Sequence, residues 1–506
     1  MMHTRRVMST ETSSDLPVLP QRMTIPAGPS PLPQEFPGYR TLDQEVSVDR
    51  LPVTGRIPEW LTGTLIRNGP ARFELGDYRL THWFNGLGML HSYSFANGQV
   101  SYVNRHLRTK AYDLWMDKGE FHGKQYGLEL DPCQKLFGRH MSAYSPNISD
   151  NPSVNLMQVA EKFYAINESP MWMEFDPLEL QARGEHTFKD QFLGEVSTPH
   201  PHFDFHKRAV INYTTKMTDG NAYQVFYIPE HEAVQKPLAV VDIDDPCYMH
   251  SFAVTENYVI LVEFPVVLDT EKFRDPGYPF VACMSWQPER PARFLVIDKR
   301  EGKVTRTFES EAFFAFHHVN AAEIGNDIVV DIAATHTPYE SVLGLPPTEG
   351  QFDLDAYGYA LRRYTLPMAG ASDTVGWEHL SPRGIEMPTI NYRGNNGRTY
   401  RYAYGISSSP KSLMAMNRLS KIDIVDGSYK TWYERGCFPS EGVFVQRPGA
   451  TGEDDGVLLS GVLDAKTGKS FMLVLDARSF EELGRAHVPH HIPNDFHGQF
   501  HAGLVR

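Results

Sequence analysis

Short β-rich runs joined by tight-turn dipeptides recur along this chain from about residue 60, and few convincing helices interrupt them. SYSFANGQVSYV turns at Asn97-Gly98, FLVIDKREGKVTRTF at Gly302, and AAEIGNDIVVDIA at Gly325-Asn326. KIDIVDGSYKTWY does the same at Asp426-Gly427, and GVLDAKTGKSFMLVLDA at Gly468. Such residues supply the positive φ that tight hairpin turns require, so each site predicts a pair of antiparallel strands. Strands do not alternate with long amphipathic helices, which argues against a doubly wound or TIM-type fold. Hairpins repeated over most of a 506-residue chain leave many strand edges to hide. A large closed all-β fold hides them, and a propeller does so by radial repetition. No WD- or kelch-type signature recurs, so periodicity alone does not number the blades.

Through about Pro37 the chain is dominated by Pro, Ser and Thr, which predicts a disordered arm over residues 1–37 and a single folded domain over 38–506. The opening MMHTRRVMSTETSSD has two arginines but no apolar segment, so it does not read as a secretory signal; a short organelle presequence is the alternative to a plain arm. No apolar run reaches the ~18 to 20 residues of a spanning helix. The most apolar stretch, Tyr258 to Leu268, is broken by Glu263 and Pro265. Four cysteines (Cys133, Cys247, Cys283 and Cys437) lie far apart with no CxxC pair, which favours a reducing, cytoplasmic setting over a disulfide framework or zinc site. A net charge of −14 with no offsetting basic stripe argues against a nucleic-acid partner.

Two motif-like strings read as turns. Gly468-Lys469-Ser470 resembles the end of a phosphate-binding loop, but Leu463 stands where the first glycine belongs and the segment sits in a hairpin. Gly405-Ile406-Ser407-Ser408-Ser409 lacks the second glycine of a nucleophile elbow. The 21 histidines are more informative. His200 in EVSTPHPHFD, His250 in CYMHSFAVTENY, His317 in FAFHHVNAAE and His497 in NDFHGQF all border β-like, apolar or aromatic sequence. A strand ending there would face an interior. Imidazole is the commonest metal ligand and suits iron, zinc, copper or nickel. Neutral imidazoles leave a dication's charge uncompensated, so carboxylates must stand behind the rings. Glu168 in FYAINESPMW, Glu386 in RGIEMPTINY and Glu441 in CFPSEGVFV are suited to that role. The competing reading is scattered core and surface histidines with capping glutamates.

From about Leu61 to the C-terminus the chain resembles the carotenoid cleavage oxygenases. LTGTLIRNGPARFE is similar to that family's opening motif. HWFNGLGMLHSYSFANGQVSYVNRHLRTKAY is similar to a stretch of its animal branch, which holds β-carotene oxygenases and the retinoid isomerohydrolase. The histidine and glutamate motifs follow in family order. The resemblance implies a seven-bladed β-propeller, with loops forming a dome over an axial non-haem Fe(II) held by His200, His250, His317 and His497. His202, His318 and His501 are nearby alternatives. It also pairs Glu168 with His250, Glu386 with His317 and Glu441 with His497, and leaves His200 without a carboxylate. The gaps between successive ligands are 50, 67 and 180 residues (250 − 200, 317 − 250 and 497 − 317), which is compatible with one ligand per blade and a skip of about three blades.

The implied reaction places both atoms of O2 across a conjugated C=C bond and yields two carbonyls, with a carotenoid or apocarotenoid such as β-carotene as substrate and retinal as a product. Alternatives are a stilbene or phenylpropanoid olefin, isomerohydrolase chemistry on a retinyl ester, and a carotenoid-binding propeller without turnover. A long apolar substrate needs an aromatic tunnel, for which Tyr126, Trp172 and Phe264 are the candidates, with Trp83, Phe84 and Trp286 close to the same segments. LELDPCQKLFGRH resembles the animal branch's PDPCK motif at a membrane-facing tunnel mouth, although Leu130 and Gln134 depart from it. Peripheral membrane contact through Leu130, Cys133, Leu136 and Phe137 is the corresponding expectation.

Overall fold

All five expected turns close hairpins in the computed structural model. It describes residues 36–506 apart from 76–77, 81, 121, 127–148, 187, 189–191, 193, 276, 337–359 and 409–415. The turn between Leu87–Ala96 and Gln99–His106 shows the cause: Asn97 and Gly98 sit at φ 52° and 72°, the left-handed region these residues tolerate best.

The hairpins assemble into seven larger antiparallel sheets, the blades of a β-propeller. Blade 1 is built on Gly63–Arg72, Leu87–Ala96 and Gln99–His106. Blade 2 runs from Asn155–Val159 to Ala182–His186, and blade 3 is built on Ala209–Lys216, Ala222–Pro229 and Lys236–Asp242. Blade 4 runs from Ala253–Val254 to Lys303–Ser310, blade 5 from His318–Ile324 to Trp377–His379, and blade 6 from Glu386–Thr389 to Tyr429–Trp432. Blade 7 holds Gly456–Asp464, Lys469–Asp476 and Glu482–His487. The Lys469-Ser470 pair lies in that hairpin and Gly405 to Ser407 in the strand Tyr402–Ser407, so neither is a phosphate loop or an elbow.

The ring closes twice. The C-terminal strand Gly498–His501 joins blade 1 beside Gly63–Arg72, while the N-terminal strand Val53–Gly55 joins blade 7 beside Glu482–His487. The apolar core follows the same logic. Seven buried clusters each bridge one pair of neighbouring blades, all the way round to the blade 1–blade 7 seam. Phe36, the first described residue, is buried against Phe438 with ring centroids 4.8 Å apart. Residues 1–35 of the expected arm at 1–37, and the LELDPCQKLFGRH segment, lie outside the described residues. No helix among the described residues is long and apolar enough to cross a membrane.

Candidate metal centre

The inner strand of a propeller blade runs beside the central axis, so a residue where that strand starts projects toward the same point from every blade. His317 immediately precedes His318–Ile324 of blade 5, and His497 immediately precedes Gly498–His501 of blade 1. His250 lies just ahead of Ala253–Val254 of blade 4. In blade 3 two short strands, Val196–Ser197 and His202–Asp204, share the inner position, and His200 occupies the break between them. The four rings converge, with one nitrogen of each within 4.8 Å of all the others. His200 Nε2 and His250 Nε2 are 3.0 Å apart. His250, His317 and His497 are buried, and His200 is half-buried.

Three carboxylates back three of these rings. His250 Nδ1 lies 2.6 Å from Glu168 Oε1, His317 Nδ1 2.9 Å from Glu386 Oε2, and His497 Nδ1 2.8 Å from Glu441 Oε1. A carboxylate can only accept, so each Nδ1 carries the proton and each Nε2 presents a lone pair to the axis. The glutamates come from the inner ends of blades 2, 6 and 7, the blades that supply no histidine. Glu168 also accepts from the Tyr248 hydroxyl, Glu386 Oε2 from the Met387 amide at 2.7 Å, and Glu441 Oε2 from the Gly498 amide at 2.9 Å. Among the described residues His200 has no carboxylate partner.

The donor set fits a divalent transition metal. Imidazole nitrogens bind such ions at about 2.1 Å, so two at right angles stand ~3.0 Å apart, the separation seen between His200 and His250. The buried Nε2 of His317 has no hydrogen-bond partner. An orphaned lone pair aimed at three others is costly unless a cation takes it. Burial, followed by the other three rings, holds the His200 imidazole well below its ordinary range. Burial likewise pushes His250 down to about 4 against the pull of Glu168. Both rings are therefore neutral and ready to coordinate near pH 7. Burial alone would raise the Glu441 carboxyl, but His497, Arg67 and the Gly498 amide together hold it below the usual range.

An aromatic group covers this cluster. Phe316 lies 5.1 Å from the His250 ring between centroids, and Phe84 stands 6.3 Å from Phe316 and 5.0 Å from Phe496. Tyr126 is 4.9 Å from Phe84 and 5.6 Å from Phe280. The covering segments are knitted by main-chain bonds, from the Phe280 amide to Gln125 O at 2.8 Å and from the Val281 amide to Tyr126 O at 3.0 Å.

The other expected tunnel residues sit elsewhere. Trp172 is wedged between blades 2 and 3 with Tyr164 and Phe188, and Phe264 between blades 4 and 5 with Phe313 and Phe314. Trp286 lies on the strand Met284–Trp286, paired with Val266, whereas Trp83 joins the aromatic group, tilted against Phe496 at 4.5 Å and Phe84 at 5.2 Å. Leu130, Cys133, Leu136 and Phe137 lie outside the described residues. The alternative histidines are committed elsewhere. His202 bonds Phe252 O at 2.9 Å, His318 Nδ1 bonds Ser251 Oγ at 2.8 Å, and His501 packs on Phe163 at 4.8 Å. Phe316 and Phe496 escaped the sequence reading, although each stands directly before a ligand-type histidine, which is the signal that would have found them.

A closed propeller with an imidazole-only group at its axis defines the class: an all-β protein in which four blades each bring one histidine to a group able to hold a metal ion. The family model described as retinal pigment epithelial membrane protein matches residues 39–502, and the chain belongs to that family, the carotenoid cleavage oxygenases. It is 32% identical to the β,β-carotene 15,15′-dioxygenase of Homo sapiens, over 91% of this chain and 93% of that protein. It is 30% identical to the mitochondrial carotenoid-cleaving dioxygenase of Homo sapiens, over 95% of this chain and 93% of that one. The solved structure of cobalt-substituted apocarotenoid oxygenase from Synechocystis superposes with a TM-score of 0.81 at 24% identity, covering 92% of this chain and 98% of that one, a likeness of fold.

Proposed function

We propose that this protein is a non-haem Fe(II) dioxygenase that cleaves a conjugated C=C bond of a carotenoid or apocarotenoid into two carbonyl products, with residues 38–506 acting as one catalytic domain. The observation that carries the reading is the convergence of four imidazoles, three of them fixed in tautomer by buried carboxylates. The names of the dioxygenase relatives support the substrate class.

His200, His250, His317 and His497 would hold the iron, and Glu168, Glu386 and Glu441 would orient three of the rings while offsetting the dication's charge. When bound, iron supplies the spin-allowed route to O2 that an olefin lacks. The chain's own contribution is positioning and dryness. Phe84, Tyr126, Phe316 and Phe496 form an apolar, rigid wall beside the histidines that suits a flat polyene and excludes water. In the balanced reaction one C=C and one O2 become two C=O groups, so no proton is gained or lost. A general acid or base is not required.

The test is anaerobic iron loading, addition of detergent-dispersed β-carotene, then admission of oxygen. Expected are oxygen-dependent bleaching and aldehyde products, both lost in His250→Ala. Turnover of a retinyl ester without oxygen uptake would replace cleavage by isomerohydrolase chemistry. Inertness toward carotenoids and apocarotenals, with turnover of a stilbene, would move the substrate class. We further propose membrane docking through Leu130, Cys133, Leu136 and Phe137; failure of the protein to float with liposomes would refute it.

A further inference from the structure

The opening motif LTGTLIRNGPARFE contributes no ligand and no backing carboxylate, yet its Arg-Asn-Gly core lies directly under the last ligand. Arg67 is 0% exposed and stands in register opposite Gly498. Its Nε and Nη2 grip Asp495 at 2.6 and 2.9 Å, and Nη2 also donates to Phe496 O at 2.9 Å. Its Nη1 donates to Glu441 O at 3.1 Å and stands 3.7 Å from Glu441 Oε2. The Asn68 amide donates to His497 O at 2.9 Å, and Asn68 O accepts from the Phe496 amide at 3.0 Å. At Gly69 a Cβ would lie 2.5 Å from Asp495 Cα, so only glycine lets the Asp495–His497 turn settle against the strand.

His497 belongs to blade 1 and its carboxylate partner to blade 7, so their 2.8 Å bond spans the seam where the ring closes. A clamp that served stability alone would need only the Arg67–Asp495 pair. The remaining guanidinium hydrogen bonds go to the main chain on both sides of the His497–Glu441 bond, with the Glu441 carboxylate beside them. We infer that Arg67 is a positioning residue for the metal centre, its guanidinium fixing the turn that carries His497 against the glutamate that orients the same ring. Arg67 fits this task because a planar fork can serve several acceptors at fixed angles, which an ammonium cannot. This inference rests on the metal-site reading above.

The experiment measures Co(II) binding to the full chain by chelator competition, with the visible absorption of bound Co(II) reporting ligand number and thermal unfolding followed alongside. R67M is expected to bind Co(II) about 10- to 100-fold more weakly, the usual cost of losing an outer partner of a ligand, with a spectrum shifted toward that of His497→Ala. The double variant R67M/D495N removes the buried pair together, so it should recover stability without recovering affinity. R67K keeps the charge without the fork and should fold while still binding Co(II) less tightly. It decides the matter if R67M does not fold. Wild-type affinity and spectrum in R67K, or in the folded double variant, would overturn the positioning role and leave the site standing. Failure of the unaltered protein to bind Co(II) would overturn the site and the inference together.

Discussion

Glutamine substitution should separate two of the backing carboxylates although each change removes the same charge. Glu441 uses both oxygens: Oε1 accepts from His497 Nδ1 and Oε2 from the Gly498 amide. Glu386 uses Oε2 for both His317 Nδ1 and the Met387 amide, and its buried Oε1 has no partner. In E386Q the amide oxygen can occupy the Oε2 position and keep both bonds. The imidazole tautomer survives, and the cost is a buried NH2 that falls on stability. In E441Q one of two donors must face NH2. The metal-free protein escapes by giving the Gly498 amide the oxygen and moving the His497 proton to Nε2, which removes the lone pair a metal needs. Binding must then undo that arrangement and leave one buried donor unsatisfied, at about 1–3 kcal/mol. That corresponds to a roughly 5- to 150-fold weaker site in E441Q than in E386Q. Anaerobic Fe(II) competition against a chromogenic chelator measures both constants, with thermal unfolding of the metal-free proteins alongside. Equal affinities, or E386Q the weaker, would refute the donor-count reasoning.

Three further outcomes follow from buried groups. Lys299 Nζ and Asp204 Oδ2 form a 2.7 Å pair joining blades 4 and 3, both side chains 2% exposed, so Lys299→Met should cost about 3–5 kcal/mol in urea unfolding while Co(II) affinity stays put; a change below about 1 kcal/mol would count against it. Burial pushes His501 down from 6.5 to about 4 and His91 well below 6.5, so both are held neutral in the fold. Their contribution is intact above pH 6.5 and is lost as pH falls below it, for His501 down to about 4, at about 1.4 kcal/mol per pH unit for each histidine. Urea midpoints that stay flat from pH 7 to 5 would contradict this. Burial also raises the thiols of Cys247 and Cys437 to about 12 and of Cys283 to about 11, so a thiol reagent at pH 8 should reach these three only after denaturation.

What the sequence disclosed was local. Hairpins were legible because a turn such as Asn97-Gly98 declares its backbone in two residues. The histidine motifs and those of Glu386 and Glu441 were legible because each sits at one kind of place, the start of an inner strand or a break in it; Glu168 instead follows the second strand of blade 2, Lys162–Ile166. Blade number was not legible from periodicity. The inner position of blades 3 and 7 is split between two short strands, and the breaks hold His200 and Glu441. A split strand carries no alternation to read. The aromatic wall divided along the same line. Tyr126 reached it, whereas Trp172, on a blade strand, and Phe264, just past one, went into the wedges between blades, where large aromatics serve packing first. Nothing local marked Arg67, whose partners lie hundreds of residues away.

The double closure of the ring also has a consequence for biosynthesis. A chain leaving the ribosome presents His200, His250 and His317 while blades 6 and 7 are still unmade. At that stage blade 1 lacks its inner strand and the fourth imidazole. Three imidazoles are one short of the set that converges in the finished ring, so under the proposed function the complete iron site does not exist while the chain is still being made. The full set waits for the strand Gly498–His501 to dock beside Gly63–Arg72. Assembly order thus postpones completion of the four-histidine group until the ring around it is finished.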